Sequence, residues 1–453
     1  MTLRPLRAIL DRFVPAGGVL LSVLLFGSYV MGLLRDRIFA RTFGAGAELD
    51  AYNAAFILPE LTLDVLVASG LAAPFIPIFL QLRRDSDDAA IEFGQSIFTG
   101  ALLVMGGAAV LLFAFAPQTT SFIAPGFDAA QRDLYVNLFR LMLVTPILFA
   151  ASLTLGEVLL AERRMLAYGS APLLYNGGII VGTLLLSAPF GIFGAAVGAV
   201  LGAALHLGIR VWGLRRSTYR VRLRFRDSPS VRSFLRLMLP KMASHPVEPM
   251  TFLFFTAVAT GLGAGSVSAV SFARNFQSVP VTVIGVALAL AAFPALSAAW
   301  AAADRSRFLR ELSRDLLTVT VLTGVAGVVL FVVAELVINV FLGGGAFDAE
   351  DVALTGGTLA AFAISVPFES LTHLLSRAIY ATRHTMLQVL ASLAAFAVTV
   401  AATVLLVRPL GLLAVPTGFA IGMAVKVLLL AVALAWRLRT AAPSASGEVS
   451  ESG

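Results

Sequence analysis

Ionisable side chains inside long apolar stretches are the residues of this sequence best suited to chemistry. A charged group in the hydrocarbon core of a bilayer is costly, so it usually faces a cavity or a partner and marks a functional site. Arginine presents a planar fork that pairs with phosphate through two hydrogen bonds. A carboxylate in such a place can bind a proton or Na⁺. The predicted substrate-binding residues are Arg35, Asp36, Asp50, Glu60, Asp64 and Arg274.

Further ionisable residues form two stripes on later segments. Glu369, His373 and Arg377 are spaced at i, i+4 and i+8, which stacks them along one helix face, and a spacing of four places Glu60 and Asp64 on one face. Each stripe predicts either an ion-coupling network or a structural network that neutralises its own charges. Asp50 has another alternative, because a charged group near a span end can reach the water interface. The stripes are Lys241, His245 and Glu248, and Glu369, His373 and Arg377.

The elements that carry these residues are predicted to be membrane-spanning helices. The chain has 453 residues, of which 58% are hydrophobic and 13% charged, whereas soluble domains carry about 25% charged residues. Uncharged runs recur that are long enough for the roughly 20 residues a spanning helix needs. We therefore predict an all-α polytopic membrane protein with about twelve spans. They are 15–40, 51–81, 92–117, 132–160, 165–187, 191–213, 232–261, 265–299, 313–342, 352–379, 386–407 and 411–436.

Arginines cluster on alternate connections between these spans, and the positive-inside rule then puts both termini in the cytoplasm. The opposite connection near 345–351 is acidic. The densest basic stretch follows span six and predicts an anchor for anionic lipid headgroups, with recruitment of nucleic acid or substrate as the less favoured alternatives. Its arginines are Arg210, Arg215, Arg216, Arg220, Arg222, Arg224, Arg226 and Arg232.

Enzymatic and metal chemistry lack sequence support. The chain has no cysteine, and its four histidines lie far apart without metal-ligand spacing. No Walker loop and no Gly-x-Ser-x-Gly elbow occurs. The prediction is a protein that is not an enzyme and has no metal or organic cofactor, driven by a Na⁺ or H⁺ gradient or by the membrane potential.

The sequence repeats itself at an offset close to 220 residues. Six spans per copy is an even number, so both copies enter from the same side as parallel repeats. We predict two six-helix bundles, 1–213 and 232–437, around a central cleft, with a basic linker at 214–231 and a disordered tail at 438–453. The matching pairs include Gly44-Ala45-Gly46 with Gly263-Ala264-Gly265, Pro59 with Pro280, Phe127-Asp128 with Phe347-Asp348, and Gly191 with Gly411.

Motifs in order along most of the chain resemble the MurJ/MviN family. They are Gly32-Leu33-Leu34-Arg35-Asp36-Arg37, Thr42-Phe43-Gly44-Ala45-Gly46, Leu58-Pro59, Phe75-Ile76-Pro77, Ala124-Pro125-Gly126-Phe127, Pro172-Leu173-Leu174-Tyr175-Asn176 and Phe293-Pro294. The resemblance implies the fold of the multidrug/oligosaccharidyl-lipid/polysaccharide exporter superfamily, which includes MATE transporters. It also implies flipping of lipid II, the undecaprenyl-pyrophosphate-linked peptidoglycan precursor, across the bacterial inner membrane. The implied partners are that lipid-linked glycan and cell-wall synthesis proteins, without nucleic acid.

The chain departs from the family pattern at cavity positions. It has Tyr29, Leu63 and Asn275 where the family has arginine, and Ala68 where the family has an acid. Arg35 is in register, whereas Arg274 lies one residue from a family arginine, a step that rotates a helical side chain by about 100°. Two alternatives therefore remain open: a flippase or exporter of another polyprenyl-linked glycan or a small molecule, and a non-transporting membrane scaffold.

Overall fold

A computed structural model describes residues 16–244, 247–382 and 384–440. The side chains of residues 16, 17, 240, 241, 243, 244 and 248 are also outside the description. Regular structure in these ranges is helical, and one isolated β-bridge pairs Gly344 with Phe347. The predicted all-α fold is confirmed.

The chain forms two compact units. The first comprises the residues up to Ser268 together with Phe341–Asp348. Its helices are α1 (Ala16–Phe43), α2 (Ala47–Leu63), α3 (Ser69–Asp85), α4 (Asp87–Ala114), α5 (Ala116–Ile123), α6 (Ala129–Met142), α7 (Val144–Ala161), α8 (Met165–Phe190), α9 (Ile192–Gly213), α10 (Pro229–Ser244) and α11 (Val247–Ala259).

The second unit comprises Ala269–Val340 and the residues from Ala349 onward. Its helices are α12 (Ser266–Pro280, which begins in the first unit), α13 (Ala287–Ala301), α14 (Arg305–Phe341), α15 (Ala349–Ala363), α16 (Val366–Ala381), α17 (Thr385–Leu410) and α18 (Ala414–Thr440). Helix α18 ends at Thr440 and therefore continues three residues into the predicted tail 438–453, whose remainder lies outside the described residues. The predicted lobe boundaries stay predictions.

Nine helical segments of the described chain are long and apolar enough to cross a membrane, and a tenth consists of α15 and α16 with a 43° bend between them. One of the nine, Thr385–Thr440, contains both α17 and α18. The predicted span 232–261 is not among the ten. Its described residues form α10, which carries Arg232 and Arg236, and α11, in which Pro249–Ala259 is a short apolar helix. Residues 245 and 246, between these helices, lie outside the described residues.

Local sequence signals fix several helix ends. The Asp128 side chain accepts a hydrogen bond from the Gln131 backbone nitrogen at 2.8 Å, and the Asp128 backbone nitrogen donates to Gln131 Oε1 at 3.3 Å, which is a capping box. Asp304 caps the start of α14, where hydrogen bonds from the Arg307 backbone and the Ser306 side chain hold the pKa of the Asp304 carboxyl below its usual value.

Backbone irregularities recur between the two halves of the chain. A π-helical turn at Asp64–Ala68 joins α2 to α3, and another at Val281–Val286 joins α12 to α13. Gly191, between α8 and α9, has φ 56° and ψ −138°, and Gly411, between α17 and α18, has φ 55° and ψ −130°. Residues other than glycine rarely adopt a positive φ of this kind. The matching glycines between corresponding helices therefore support the repeat found in the sequence.

Helices α8 and α9 pack with their backbones in direct contact. A Cβ atom added to Gly182 would lie 2.3 Å from the Cα of Gly198, and one added to Gly202 would lie 2.3 Å from the Tyr175 carbonyl oxygen. Such small residues let membrane helices approach closely. In the corresponding pair, α17 and α18, the side-chain hydroxyls of Thr399 and Thr403 lie between the two helices.

We expect Gly202→Leu to lower the free energy of unfolding by about 3 kcal/mol, because the new side chain has no room between α8 and α9. The measurement is the melting temperature of the detergent-solubilised protein by size-exclusion chromatography. Gly208→Leu is the control on the same helix, because no atom lies within 4 Å of its added Cβ. Equal melting temperatures for the two variants would contradict the close approach.

Candidate functional site

Arg35, near the end of α1, is the best-positioned arginine of the first unit. Its Nε and Nη2 donate to Asp36 Oδ1 at 3.1 and 2.7 Å, and its Nη1 donates to Asn176 Oδ1 on α8 at 3.3 Å. Asp36 is buried, whereas the Arg35 side chain keeps 26% of its surface exposed. The carboxylate and the amide thus orient a cationic group that remains accessible.

Polar side chains from α2 and α8 surround this arginine. Tyr52 and Tyr175 lie within electrostatic range of the Arg35 guanidinium. Glu60 is exposed at the end of α2 and interacts electrostatically with both Arg35 and Asp64. The structure therefore brings together four of the predicted site residues, namely Arg35, Asp36, Glu60 and Asp64.

Asp50 has a different environment from the Arg35 group. Its Oδ2 accepts from the Gly265 backbone nitrogen at 2.7 Å, and its Oδ1 accepts from the Ser268 backbone nitrogen at 2.7 Å and from Ser268 Oγ at 2.6 Å. Asn53 adds a bond from its Nδ2 to Ser268 Oγ at 3.3 Å. A carboxylate at the first turn of a helix satisfies its unpaired N–H groups, so Asp50 ties α2 to the start of α12. The alternative of an interfacial, water-facing Asp50 is wrong, because only 1% of the residue is exposed.

Two further arginines at the end of α1 hold the segment Phe341–Asp348. Arg41 donates from Nε and Nη2 to the Gly343 carbonyl oxygen at 3.2 and 2.8 Å, and the Ala346 backbone nitrogen donates to the Arg41 carbonyl oxygen at 2.9 Å. Arg37 donates to the Phe341 carbonyl oxygen at 2.9 Å. These bonds explain why the segment belongs to the first unit.

Arg274, in the second unit, forms a paired network and not an open cationic site. Its Nη1 and Nη2 donate to the two Glu369 carboxylate oxygens at 2.8 and 2.6 Å, and Nη1 also bonds the Gln277 side chain. Gln277 Nε2 donates to Glu369 Oε2 at 2.9 Å and to Ser365 Oγ at 3.2 Å. The guanidinium lies 5.0 Å from the centre of the Phe419 ring. The predicted substrate residue Arg274 thus pairs with the predicted coupling residue Glu369.

The other members of the Glu369 stripe are near this pair along α16. His373 interacts electrostatically with Glu369, and the Arg377 guanidinium lies 5.8 Å from the centre of the Phe293 ring. The earlier stripe cannot be placed in the same way. His245 and the side chains of Lys241 and Glu248 lie outside the described residues, so their assignment stays a prediction.

Sequence reasoning missed the neutral partners and one buried ionic group. Gln277 and Ser365 carry no charge and gave no signal in an apolar sequence. Asn176 belongs to a motif shared with the MurJ/MviN family, but nothing in the sequence indicated that it contacts Arg35. Arg210, predicted on the basic connection, is instead buried in α9, where its Nη1 donates to the Ser152 carbonyl oxygen at 2.6 Å. His206, one helical turn earlier, bonds Ser152 Oγ through Nδ1 at 2.7 Å. Their spacing of i and i+4 was the available signal.

Comparison with known families decides what kind of protein carries this arrangement. The sequence profile of the family described as lipid II flippase MurJ matches residues 39–449. The chain belongs to the MurJ lipid II flippase family. The resemblance seen in the sequence is therefore confirmed.

Several MurJ proteins resemble the chain over most of its length. "Probable lipid II flippase MurJ" from Rhizobium tropici is 27% identical over 88% of this chain and 76% of its own length. "Lipid II flippase MurJ" from Burkholderia cenocepacia is 25% identical over 78% of this chain and 70% of its own length.

Two solved structures share the fold. A structure of lipid II flippase MurJ in an inward closed conformation matches with a TM-score of 0.80 and 22% identity, covering 92% of this chain and 87% of that protein. An inward-facing MATE family transporter matches with a TM-score of 0.79 and 16% identity, covering 92% of this chain and 96% of that protein. The MurJ/MATE-like architecture is confirmed.

We expect Arg274→Gln and Glu369→Gln each to destabilise this MurJ family member by about 3–5 kcal/mol, because each leaves a buried charge without its partner. The double variant Arg274→Gln/Glu369→Gln removes both charges and is expected to recover most of the loss. Melting temperatures of the three detergent-solubilised variants measure this. A double variant less stable than both single variants would argue against a paired network.

We expect Asp50→Asn to loosen the start of α12, because the amide nitrogen cannot accept bonds from Gly265 and Ser268. The readout is amide hydrogen exchange of the peptide that contains residues 265–268, which should become at least tenfold faster. Glu48→Gln, an exposed position in the first turn of the same helix, serves as the control. Equal exchange in both variants would contradict the capping role.

Proposed function

We propose that this protein moves lipid II from the cytoplasmic to the outer leaflet of a bacterial inner membrane by alternating access. The observation that carries the proposal is the family match over residues 39–449. A substrate with a pyrophosphate group needs a cationic partner that is accessible and already oriented. Arg35 has both properties, and it is the family arginine that this chain retains in register.

The hydrogen-bond count supports Arg35 as the phosphate ligand. A guanidinium has five N–H donors, and three of those on Arg35 are used by Asp36 and Asn176. Two N–H groups are therefore available for a pyrophosphate oxygen. Arg274 differs, because its fork already engages both Glu369 oxygens. We assign substrate capture to Arg35 and a network role to Arg274 in the state described.

Energy for transport is proposed to come from a Na⁺ or H⁺ gradient or from the membrane potential. Glu369 is the carboxylate that favours this proposal, because it is 7% exposed and holds Arg274 by two hydrogen bonds. Binding of a proton or Na⁺ there would weaken the pair and release the arginine fork. His373 and Arg377 would tune that step through their charges. Glu60 and Asp64 would act beside Arg35.

The remaining features follow the same proposal. Both termini would lie in the cytoplasm, as the arginine distribution predicts, and the protein would work beside the enzymes of peptidoglycan synthesis in maintaining the cell wall and cell shape. The departures at Tyr29, Leu63 and Asn275 favour a second candidate, transport of another polyprenyl-linked glycan or a small molecule. A non-transporting scaffold is the third.

Complementation of a bacterium depleted of its own MurJ tests the proposal. We expect the parent protein to restore growth and Arg35→Gln to fail, because loss of a charge-assisted hydrogen bond of about 1.5–3 kcal/mol slows transport by roughly 10- to 100-fold. Arg408→Gln, an exposed arginine at the end of α17, controls for loss of charge. Membrane levels of each variant are measured in parallel.

The outcomes separate the three candidates. Failure of a well-expressed parent protein would refute lipid II as the substrate. Rescue by the parent and equally by Arg35→Gln would argue against phosphate capture at Arg35. A scaffold predicts rescue that is insensitive to substitution of Arg35, Arg274, Glu60 and Asp64 together.

A further inference from the structure

The segment 217–228, here termed the interfacial loop, connects α9 to α10 without helix or strand. It alternates basic and apolar residues in a pattern that the transport site does not use. Tyr219 is buried and anchors the beginning of the loop against Gly94 of α4, where a Cβ atom would lie 2.7 Å from the ring. The alternating residues are Arg220, Val221, Arg222, Leu223, Arg224, Phe225 and Arg226.

Side chains of α4 hold the backbone of the interfacial loop. Gln95 Nε2 donates to the Arg220 carbonyl oxygen at 2.7 Å. The Arg224 backbone nitrogen donates to Thr99 Oγ1 at 3.0 Å, and the Arg226 backbone nitrogen donates to Ser96 Oγ at 3.1 Å. The interfacial loop therefore follows α4 as far as Thr99 and then turns back by about one helical turn. These hydrogen bonds hold its backbone in place.

The contacts with α4 give the depth of the loop in the bilayer. Glu92 is the last charged residue of α4, and the uncharged stretch from Phe93 to Ala114 is about 33 Å long at 1.5 Å per residue. This length matches a hydrocarbon core of about 30 Å. Phe225 lies beside Gly100, 3.7 Å from the position of its Cβ. Gly100 is about 12 Å along the helix from Glu92, so with Glu92 at the headgroup level the Phe225 ring would lie among the acyl chains.

The same helix indicates which surface the interfacial loop covers. Ser96, Gly100, Leu103 and Val110 lie on one face of α4, because their spacing follows the helical period. Leu103 is 67% exposed and Val110 is 69% exposed, and exposed apolar side chains along a spanning helix are typical of a surface that faces lipid. The interfacial loop covers the beginning of this face of α4. Leu223 and Phe225 are 74% and 54% exposed, so the apolar tip points away from the protein interior.

The interfacial loop carries more positive than negative charges. Arg226 Nη1 bonds both Glu92 carboxylate oxygens, at 2.9 and 3.0 Å, and is thereby neutralised. Arg224 lies 3.8 Å from the same carboxylate and keeps 60% of its side chain exposed. Arg222 is exposed as well. Long arginine stems can extend from a buried backbone to the headgroup level, where phosphate is their natural partner.

We propose that the interfacial loop inserts Leu223 and Phe225 into the cytoplasmic leaflet and binds the phosphate of an anionic glycerophospholipid with Arg222 and Arg224. The occupant is bilayer phospholipid, because the tip lies beside the lipid-facing stripe of α4. Apolar side chains buried at the acyl boundary combined with basic side chains at the headgroups are the features of interfacial membrane anchors. This inference does not rest on the proposed transport function.

Binding of phosphatidylglycerol to the full-length protein in detergent, counted by native mass spectrometry, tests the charge requirement. Each basic residue near an anionic surface contributes about fivefold in affinity, so Arg222→Gln/Arg224→Gln should weaken binding by about 30-fold. The control is Arg305→Gln/Arg310→Gln, which removes the same charge from the exposed start of α14 and should change binding by less than twofold. Equal loss in both double variants, or equal binding of phosphatidylcholine by the parent, would overturn the proposal.

Insertion is measured separately with a single cysteine, because the protein has none of its own. A fluorophore at Leu223→Cys in nanodiscs should emit at shorter wavelength and be quenched by lipids labelled near the top of the acyl chain. The same fluorophore at Thr218→Cys, an exposed position at the start of the loop, should be quenched at least threefold less. Water-like emission at position 223 would overturn the proposal even if phosphatidylglycerol bound.

Discussion

The scarcity of hydrogen-bonding solvent in a hydrocarbon environment governs this structure. Helices satisfy their own backbone groups, so the polar side chains and helix ends must find partners within the protein. Asp50 accepts three hydrogen bonds from Gly265 and Ser268 at the start of α12, and Glu369 accepts hydrogen bonds from both terminal nitrogens of Arg274. Arg35 is the informative contrast, because it is oriented by Asp36 and Asn176 and still has donors to offer. This difference in hydrogen bonding is why the proposed phosphate ligand is Arg35 and not Arg274.

Much of the fold follows from simple features of the sequence. Long uncharged runs predict the spans, and the 220-residue repeat predicts that breaks such as Gly191 and Gly411 occur in corresponding places. The span predicted at 232–261 stays a prediction, because residues 245 and 246 lie outside the described residues, and its first part, α10, carries arginines. Pattern alone does not separate an amphipathic helix from the beginning of a span.

The site was predictable in residue type but not in pairing. Charges in apolar runs identified Arg35, Asp36 and Glu369, yet the Arg274 and Glu369 pair joins residues 95 positions apart. Only the packing of α12 against α16 determines such a pair. Neutral partners such as Asn176 leave no trace in composition, because a single amide in a helix is unremarkable by itself. The two halves also differ in detail, with glycine against backbone in α8 and α9 and threonine hydroxyls in the corresponding α17 and α18.

The π-helical turns at Asp64–Ala68 and Val281–Val286 have a consequence for motion. The backbone hydrogen bond of a π-turn encloses one more residue than the hydrogen bond of an α-turn. Straightening such a turn into α-helix rotates every side chain beyond it by about 100° relative to those before it. The helix itself stays continuous and hydrogen-bonded, so no polar backbone group is exposed to lipid. In each repeat the π-helical turn lies between two helices, so its conversion into α-helix would turn the second helix relative to the first without breaking the chain of backbone hydrogen bonds.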